Sequence, residues 1–142
     1  MITPLLAVLC AAALAAPYKP DASAPRAVVP EQYRWDLSPF FADDTAWEAG
    51  LAEAGHRVAA LAAHQGRLDS PSGLRAALED YFTARQAVGR AASYANLKAD
   101  VDDAAPGAQD MLQRALNLGA RFRSESGFIR QELLNLDDKP AA

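Results

Sequence analysis

The sequence predicts an all-α fold, a small antiparallel array of three to four helices that follows an N-terminal signal peptide and a Pro-rich linker. Three observations favour this fold class. From Trp47 onward, apolar residues recur every three or four positions, which is the period of a helix. No stretch alternates apolar and polar residues as a half-buried strand does. The loops between the periodic stretches are short, so consecutive helices are expected to lie side by side in opposite directions.

The composition allows one packed domain, which we expect over residues 33–142. The chain has 142 residues, of which 51% are hydrophobic, and this is enough for a single core. The formal net charge of -4 argues against nucleic acid as a partner, because phosphates attract a clustered basic surface.

The first residues are predicted to be a targeting segment. Leu5 to Ala16 form an unbroken apolar stretch, which is shorter than the roughly 20 residues needed to cross a bilayer and is typical of a signal-peptide core. We therefore predict a signal peptide over residues 1–16 and an exported bacterial protein, periplasmic or secreted. Cys10 is the only cysteine, and Leu9 precedes it where a lipoprotein signal has Gly or Ala, so no stable membrane anchor is expected. A buried N-terminal helix is the alternative interpretation.

Residues 17–32 are predicted to form an extended Pro-rich linker. Four prolines lie between positions 17 and 30. Each proline removes a backbone donor and disfavours helix at the residue before it, so a regular element is not expected there.

The first helix is predicted to begin at a capping box, in which Thr45 is followed by Glu48 three residues later. Gly66 is the expected C-cap, and Ser70 followed by Pro71 supplies the cap and first residue of the next helix. The apolar stripe of the first helix consists of Trp47, Leu51, Ala54, Val58 and Leu61.

The second helix is expected from Pro71 to about Ala99. Acidic residues followed by Pro106 indicate a break before a third helix, and Gly127 is expected to separate the third helix from a short fourth one. The main stripe of the second helix consists of Leu74, Leu78, Tyr81, Val88, Ala92 and Ala95. The third helix carries Ala108, Met111, Leu112, Ala115, Leu118 and Phe122, and the fourth carries Phe128, Ile129, Leu133, Leu134 and Leu136.

The residue pattern predicts no catalytic, cofactor-binding or metal-ligating site in this chain. The only histidines, His56 and His64, are eight residues apart, or about 12 Å along a helix, instead of the one-turn spacing of a His-Glu-x-x-His zinc motif. Glu53 and His56 have the Glu-x-x-His spacing of di-iron bundles, but a second such pair is absent. A metal-binding helical bundle built on these three residues is therefore a minor alternative. The sequence also has no Gly-x-Ser-x-Gly elbow and no phosphate-binding glycine loop.

Four arginines remain as candidate binding residues. They could line a helix face that meets a carboxylate, although a solvated helix surface is the more common reason for such charges. These residues are Arg114, Arg121, Arg123 and Arg130.

Three stretches carry a resemblance to a known family. They are residues 34–41 (RWDLSPFF), 93–100 (SYANLKAD) and 127–134 (GFIRQELL). In this order and spacing, they resemble the N-terminal region of the oligoendopeptidase F family of zinc metallopeptidases, which are thimet-oligopeptidase-like enzymes. Gln131 stands where the third segment of that family often has proline.

The resemblance implies a helical front domain that helps to wall the substrate channel of an oligopeptide-cleaving enzyme. In that family the zinc ligands and the general-base glutamate lie on a later catalytic domain, so none of them is carried over to a residue here. We expect the chain to be truncated before that domain and inert alone, with zinc only in the full-length enzyme. The implied partners are the missing C-terminal catalytic domain and oligopeptides. The alternative is a stand-alone periplasmic helical domain that binds peptides or acts as an adaptor.

Overall fold

The computed structural model describes residues 18–21, 28–101 and 106–137. The predicted signal peptide lies outside these residues, as does part of the predicted linker. Three long helices dominate: α1 (Asp44–Ala60), α2 (Pro71–Val101) and α3 (Pro106–Asp137). Short 3-10 turns occupy Glu31–Tyr33 and Leu61–His64, and none of the described residues forms a strand. The all-α prediction is therefore confirmed, with three helices.

Three apolar clusters show how the helices run. The Trp47 cluster contains Trp47 of α1, Tyr94 and Ala95 of α2, and Met111 and Ala115 of α3. The Val58 cluster contains Ala54, Val58 and Leu61, with Ala84 and Val88 of α2 and Leu118 and Phe122 of α3. The Ile129 cluster contains Leu68, Ala77 and Ile129. Residue numbers fall along α2 as they rise along α1 and α3, so α2 is antiparallel to both other helices.

A seam of small residues joins α2 to α3. The buried positions of α3 repeat in steps of three and four residues as far as Phe122, and Ile129 follows seven residues later, which is the heptad pattern of helices that supercoil around each other. They are Ala108, Met111, Ala115, Leu118, Phe122 and Ile129. On α2 the buried positions that pack against α3 are mostly alanine, namely Ala77, Ala84, Val88 and Ala95. Small side chains on one helix let the two backbones approach closely, so the larger residues of α3 fill the seam.

The N-cap of helix α1 lies two residues before the predicted one, Thr45. Asp43 is the N-cap, and its carboxylate accepts a hydrogen bond from the backbone N–H of Ala46 at 2.8 Å. The predicted capping box of Thr45 and Glu48 is therefore wrong. With Asp43 as the cap, Glu48 lies in the second turn of the helix, beyond the position from which a side chain reaches back to the cap.

The turn between α1 and α2 follows the sequence prediction at the start of α2 but not at the end of α1. Gly66 has a φ of 76°, the left-handed conformation that glycine adopts at helix ends at no steric cost. At the start of α2, the Ser70 hydroxyl oxygen accepts a hydrogen bond from the backbone N–H of Gly73 at 3.1 Å, and Pro71 is the first helical residue. The predicted start of α2 is therefore confirmed. The predicted end of the first helix at Gly66 is wrong, because α1 ends at Ala60 with Leu61 as its C-cap, and a 3-10 turn over Leu61–His64 separates it from Gly66.

Helix α3 is continuous through Gly127, so the predicted separate fourth helix is wrong. Glycine costs a helix about 1 kcal/mol relative to alanine, and packing after Gly127 offsets this cost. Ile129 is buried against Leu68 and Ala77, and Phe128 and Leu133 pack onto the same cluster. Tertiary contacts therefore carry the helix through a residue that sequence reasoning treats as a break.

Candidate functional site

The most distinctive surface of the molecule is an open apolar groove between α2 and α3, on the side that α1 does not cover. It has a volume of about 480 Å³. Its walls are formed mainly by apolar side chains of the two helices, namely Leu78 and Tyr81 of α2 and Phe122, Ile129, Leu133 and Leu134 of α3. We call this surface the α2–α3 groove.

The floor of the groove is held by aromatic contacts. The ring of Tyr81 lies 5.2 Å from that of Phe122, and it meets the neighbouring ring of Phe82 edge-on at 5.3 Å. Phe82 and Leu134 remain largely exposed, with relative residue accessibilities of 57% and 55%. Exposed apolar side chains beside an apolar groove mark a surface suited to a partner.

The groove offers few groups to an incoming polypeptide backbone. Ser126 and Tyr81 are the hydroxyl-bearing residues that line it within the described ranges, and the Ser126 hydroxyl already donates to the backbone carbonyl of Phe122 at 2.7 Å. Gly127 leaves a gap in the α3 wall, because a Cβ atom at this position would meet no heavy atom within 4 Å.

Two of the four predicted arginines flank this gap. Arg123 and Arg130 line the groove, and neither guanidinium forms a hydrogen bond or an ion pair within the part of the chain that the structure describes. They are seven residues apart on α3, which places them on the same side of the helix about 10 Å apart. Among the residues that the structure describes, they are the only charged ones that line the groove. The groove is thus apolar with a positively charged margin.

The other two arginines have partners inside the chain. Arg114 binds both carboxylate oxygens of Glu48, with 2.6 Å between Nη1 and Oε1, and its guanidinium lies 5.2 Å from the centre of the Trp47 ring. The hydrogen bond to Arg114 lowers the pKa of Glu48. Arg121 pairs with Glu125 at 3.8 Å, one turn along α3. The predicted arginine face therefore divides into a structural pair and the two arginines of the groove.

The histidines do not form a metal centre among the described residues. Nε2 of His64 lies 2.7 Å from Oδ2 of Asp80, whereas Glu53 pairs with Arg57 at 2.9 Å. Within the described ranges, no three histidine, cysteine or acidic residues lie close enough together to hold a metal ion. His56 and its described neighbours therefore do not fit a zinc site.

A polar cluster at the other end of the bundle fixes the segment before α1. The Tyr94 hydroxyl donates to Oδ1 of Asp44 at 2.9 Å, and Lys98 pairs with the same carboxylate oxygen. The Phe41 ring packs edge-on against Tyr94 at 5.6 Å. Burial of the phenol, together with its hydrogen bond to Asp44, raises the pKa of Tyr94 to about 12. The lysine lowers the pKa of Asp44. This cluster is structural, because Tyr94 is buried.

Two of the family-like stretches meet at this cluster, and the third lines the groove. Phe40 and Phe41 of the first stretch pack with Tyr94 of the second, and Nε of Arg90 donates to the Phe40 carbonyl at 2.6 Å. Residues 127–134 provide much of the α3 wall of the groove. Sequence reasoning did not anticipate the groove. Adjacent large apolar residues were its sequence signal, namely Tyr81 and Phe82 on α2 and Leu133 and Leu134 on α3, because successive residues of a helix point about 100° apart and rarely face one core together.

The described residues include no helix that is both long enough and apolar enough to span a membrane. This finding concerns only the described ranges and leaves the predicted export signal a prediction.

Comparison with known proteins gives one informative similarity. The chain is 29% identical over 114 residues to the Group B oligopeptidase PepB of Streptococcus agalactiae serotype III (strain NEM316). The match covers 80% of this chain but only 19% of the oligopeptidase. No protein-family model matches the chain, and no solved structure does. The chain is therefore a helical region similar in sequence to part of an oligopeptidase.

Proposed function

We propose that this chain is the N-terminal helical region of an exported, oligoendopeptidase F-like zinc metallopeptidase, in which it walls the channel for oligopeptide substrates. The similarity to PepB carries the proposal, because it extends over most of this chain and a small fraction of a much longer oligopeptidase. The family-like stretches at 34–41, 93–100 and 127–134 support the same assignment.

In this proposal the chemistry belongs to a further domain. The 142 residues contain no His-Glu-x-x-His, the motif that would place two zinc ligands and a general base on one helix. Zinc would be bound by that further domain, where it would activate the water that attacks the peptide bond. The role of this chain would be to pack against the domain and to shape access to it.

The α2–α3 groove supports a role in packing. A helical region that forms part of a larger enzyme presents an apolar surface to the rest of that enzyme. Leu134 is exposed at this surface beside the partly buried Leu133, and the exposed Phe82 contacts Tyr81 of the groove. A region that functions alone would gain little from leaving such side chains in water, since burying one of them is worth about 1.5–3 kcal/mol.

The mass of the protein made in the organism that encodes it tests the proposal. An antibody raised against residues 34–142 should detect a product several times heavier than the 15.1 kDa of this chain. That product should cleave short peptides and lose the activity on treatment with a zinc chelator. The purified 142-residue chain should cleave none. A product of about 15 kDa, or peptide cleavage by the purified chain, would contradict the proposal.

A second candidate function is a stand-alone peptide-binding or adaptor domain. The free guanidinium groups of Arg123 and Arg130 beside an apolar groove favour it, because peptides offer both carboxylates and apolar side chains. A small product in the mass measurement would make this the function to test.

A further inference from the structure

We infer that the α2–α3 groove is the docking site for an amphipathic helix that carries two carboxylates seven residues apart, and that this helix comes from the remaining part of the proposed peptidase. The origin of the helix in the peptidase rests on the proposed function. The chemical character of the helix is inferred from the residues of the groove alone.

The scarcity of hydrogen-bonding groups in the groove favours a helix over an extended peptide as its ligand. An extended segment would bring unpaired backbone N–H and C=O groups against the apolar side chains of Leu78, Phe122 and Ile129. The hydroxyl of Ser126 already donates to a carbonyl of its own helix. A helix satisfies its backbone internally and presents only side chains. Packed beside α2 and α3, it would complete a four-helix arrangement.

The two arginines define the charge of the occupant. Arg123 and Arg130 are separated by two helical turns, about 10 Å, and have no partner among the described residues. On a facing helix the same distance is spanned by positions i and i+7. Carboxylates at these positions would pair with both guanidinium groups, while the apolar residues between them would enter the gap at Gly127.

The positive charges of Arg123 and Arg130 argue against two other occupants of the groove, a second copy of the chain and the chain's own apolar N-terminal stretch. A second copy packed by two-fold symmetry would bring its own Arg123 and Arg130 towards these arginines, and like charges repel. The apolar stretch of residues 5–16 could contact the groove walls, but residues 1–17 contain no Asp or Glu. The match to PepB leaves a large part of that oligopeptidase uncovered. We propose that the docking helix belongs to the corresponding part of the proposed peptidase.

The experiment measures binding of a designed helical probe to the 142-residue chain by fluorescence anisotropy. The probe is a 21-residue peptide by design, with leucines along one stripe and two glutamates seven residues apart beside it. One control replaces both glutamates with glutamine, and another places two prolines at its centre to prevent helix formation. We expect the glutamine probe to bind about fivefold more weakly at low salt, a modest ratio because the arginines are exposed. The difference should shrink in high salt, and the proline probe should not bind.

Substitutions in the chain test whether the probe binds in the α2–α3 groove. Gly127→Leu places a side chain in the gap, where its Cβ atom would meet no heavy atom within 4 Å. It should weaken binding by at least about tenfold, as expected when a well-packed contact is lost. Gly89→Leu is the matched control, because Gly89 is also an exposed helical glycine with open space around it, outside the groove. Arg123→Gln combined with Arg130→Gln should abolish the preference for glutamate over glutamine.

Several outcomes would overturn the inference. These are absence of probe binding, equal binding of the glutamate and glutamine probes, equal binding of the proline probe, and equal effects of the two leucine variants. Dimers of the unmodified chain that Gly127→Leu dissociates would assign the groove to a second copy.

The source of the helix is tested separately by arginine modification with phenylglyoxal. In the 142-residue chain, Arg123 and Arg130 should react faster than Arg114, which is paired with Glu48. In the heavier native product, both groove arginines should be protected. If probe binding succeeds and no heavier product exists, the proposed function fails while the groove chemistry stands. If a heavier product exists and its groove arginines react freely, the docking inference fails while the proposed function stands.

Discussion

Gly73 lies in the first turn of α2, where the preceding loop passes very close to the helix. A Cβ atom at this position would lie 2.0 Å from the backbone carbonyl oxygen of Arg67 and 2.9 Å from the hydroxyl oxygen of Ser70. Gly73→Ala must therefore move the loop. The loop cannot move freely, because it carries Leu68, which is 1% exposed and packs against Ala77.

The expected destabilisation follows from the two interactions that this movement disturbs. Loss of the Ser70 cap costs about 0.5–2 kcal/mol. Full exposure of Leu68 would cost about 1.5–3 kcal/mol, and we expect roughly half of this for partial displacement. The higher helix propensity of alanine offsets this loss of stability by up to about 1 kcal/mol. We therefore expect the free energy of unfolding to fall by about 1–2 kcal/mol.

Urea unfolding followed by circular dichroism at 222 nm measures this change. Gly89→Ala is the matched control, since Gly89 also lies in α2 and a Cβ atom there would meet nothing within 4 Å. The control should stabilise the chain by about 0.5–1 kcal/mol. If Gly73→Ala proves as stable as Gly89→Ala, the close approach of the loop to the helix is not a feature of the folded protein, and the reasoning is refuted.

Two further predictions concern the Trp47 end of the bundle. Because the pKa of Tyr94 is raised to about 12, folding favours the protonated phenol. The stability contributed by this group is fully present below pH 10, the ordinary tyrosine pKa, and is lost as pH rises towards 12. Titration of absorbance at 295 nm should show one late-ionising tyrosine that Tyr94→Phe removes, and a titration unchanged by this substitution would contradict the prediction. Arg114→Ala should destabilise the chain by about 1 kcal/mol, a modest effect for a half-exposed pair with Glu48, and should change Trp47 fluorescence. Arg121→Ala, which removes a longer surface contact, should change neither property, and an equal effect of the two alanine variants would refute this assignment.

The features of the fold that were predicted correctly from the sequence depend on interactions between residues close together in the chain. Ser70 followed by Pro71 marked the start of α2, because a cap and a proline at the first helical position act over a few residues. The start of α1 was missed because Asp43 and Thr45 are both acceptable caps, and their choice depends on how the helix packs. Gly127 was misread for a related reason, since the contacts of Ile129 with residues far away in sequence keep α3 intact.

The candidate site was less accessible to sequence reasoning. Arg114 and Arg123 are indistinguishable as sequence letters, yet one is paired with Glu48, 66 residues away, and the other lines the groove. Most alanines of the α2 seam were not predicted to be core positions, because alanine has weak hydropathy. A heptad comparison would have found Ala77 and Ala84.

The three apolar clusters lie in series along α2, and this order has a consequence for folding kinetics. Ala95 and Met111 of the Trp47 cluster are about 16 residues apart in sequence, whereas Ala77 and Ile129 are about 52 residues apart. Closing the longer loop costs about 1 kcal/mol more in chain entropy. We expect pairing of α2 with α3 to start near their connection and to reach Ile129 last. By the same ordering, amide hydrogen exchange should be fastest at the groove end of the helix pair, so a docked helix would close the part of the molecule that opens most readily.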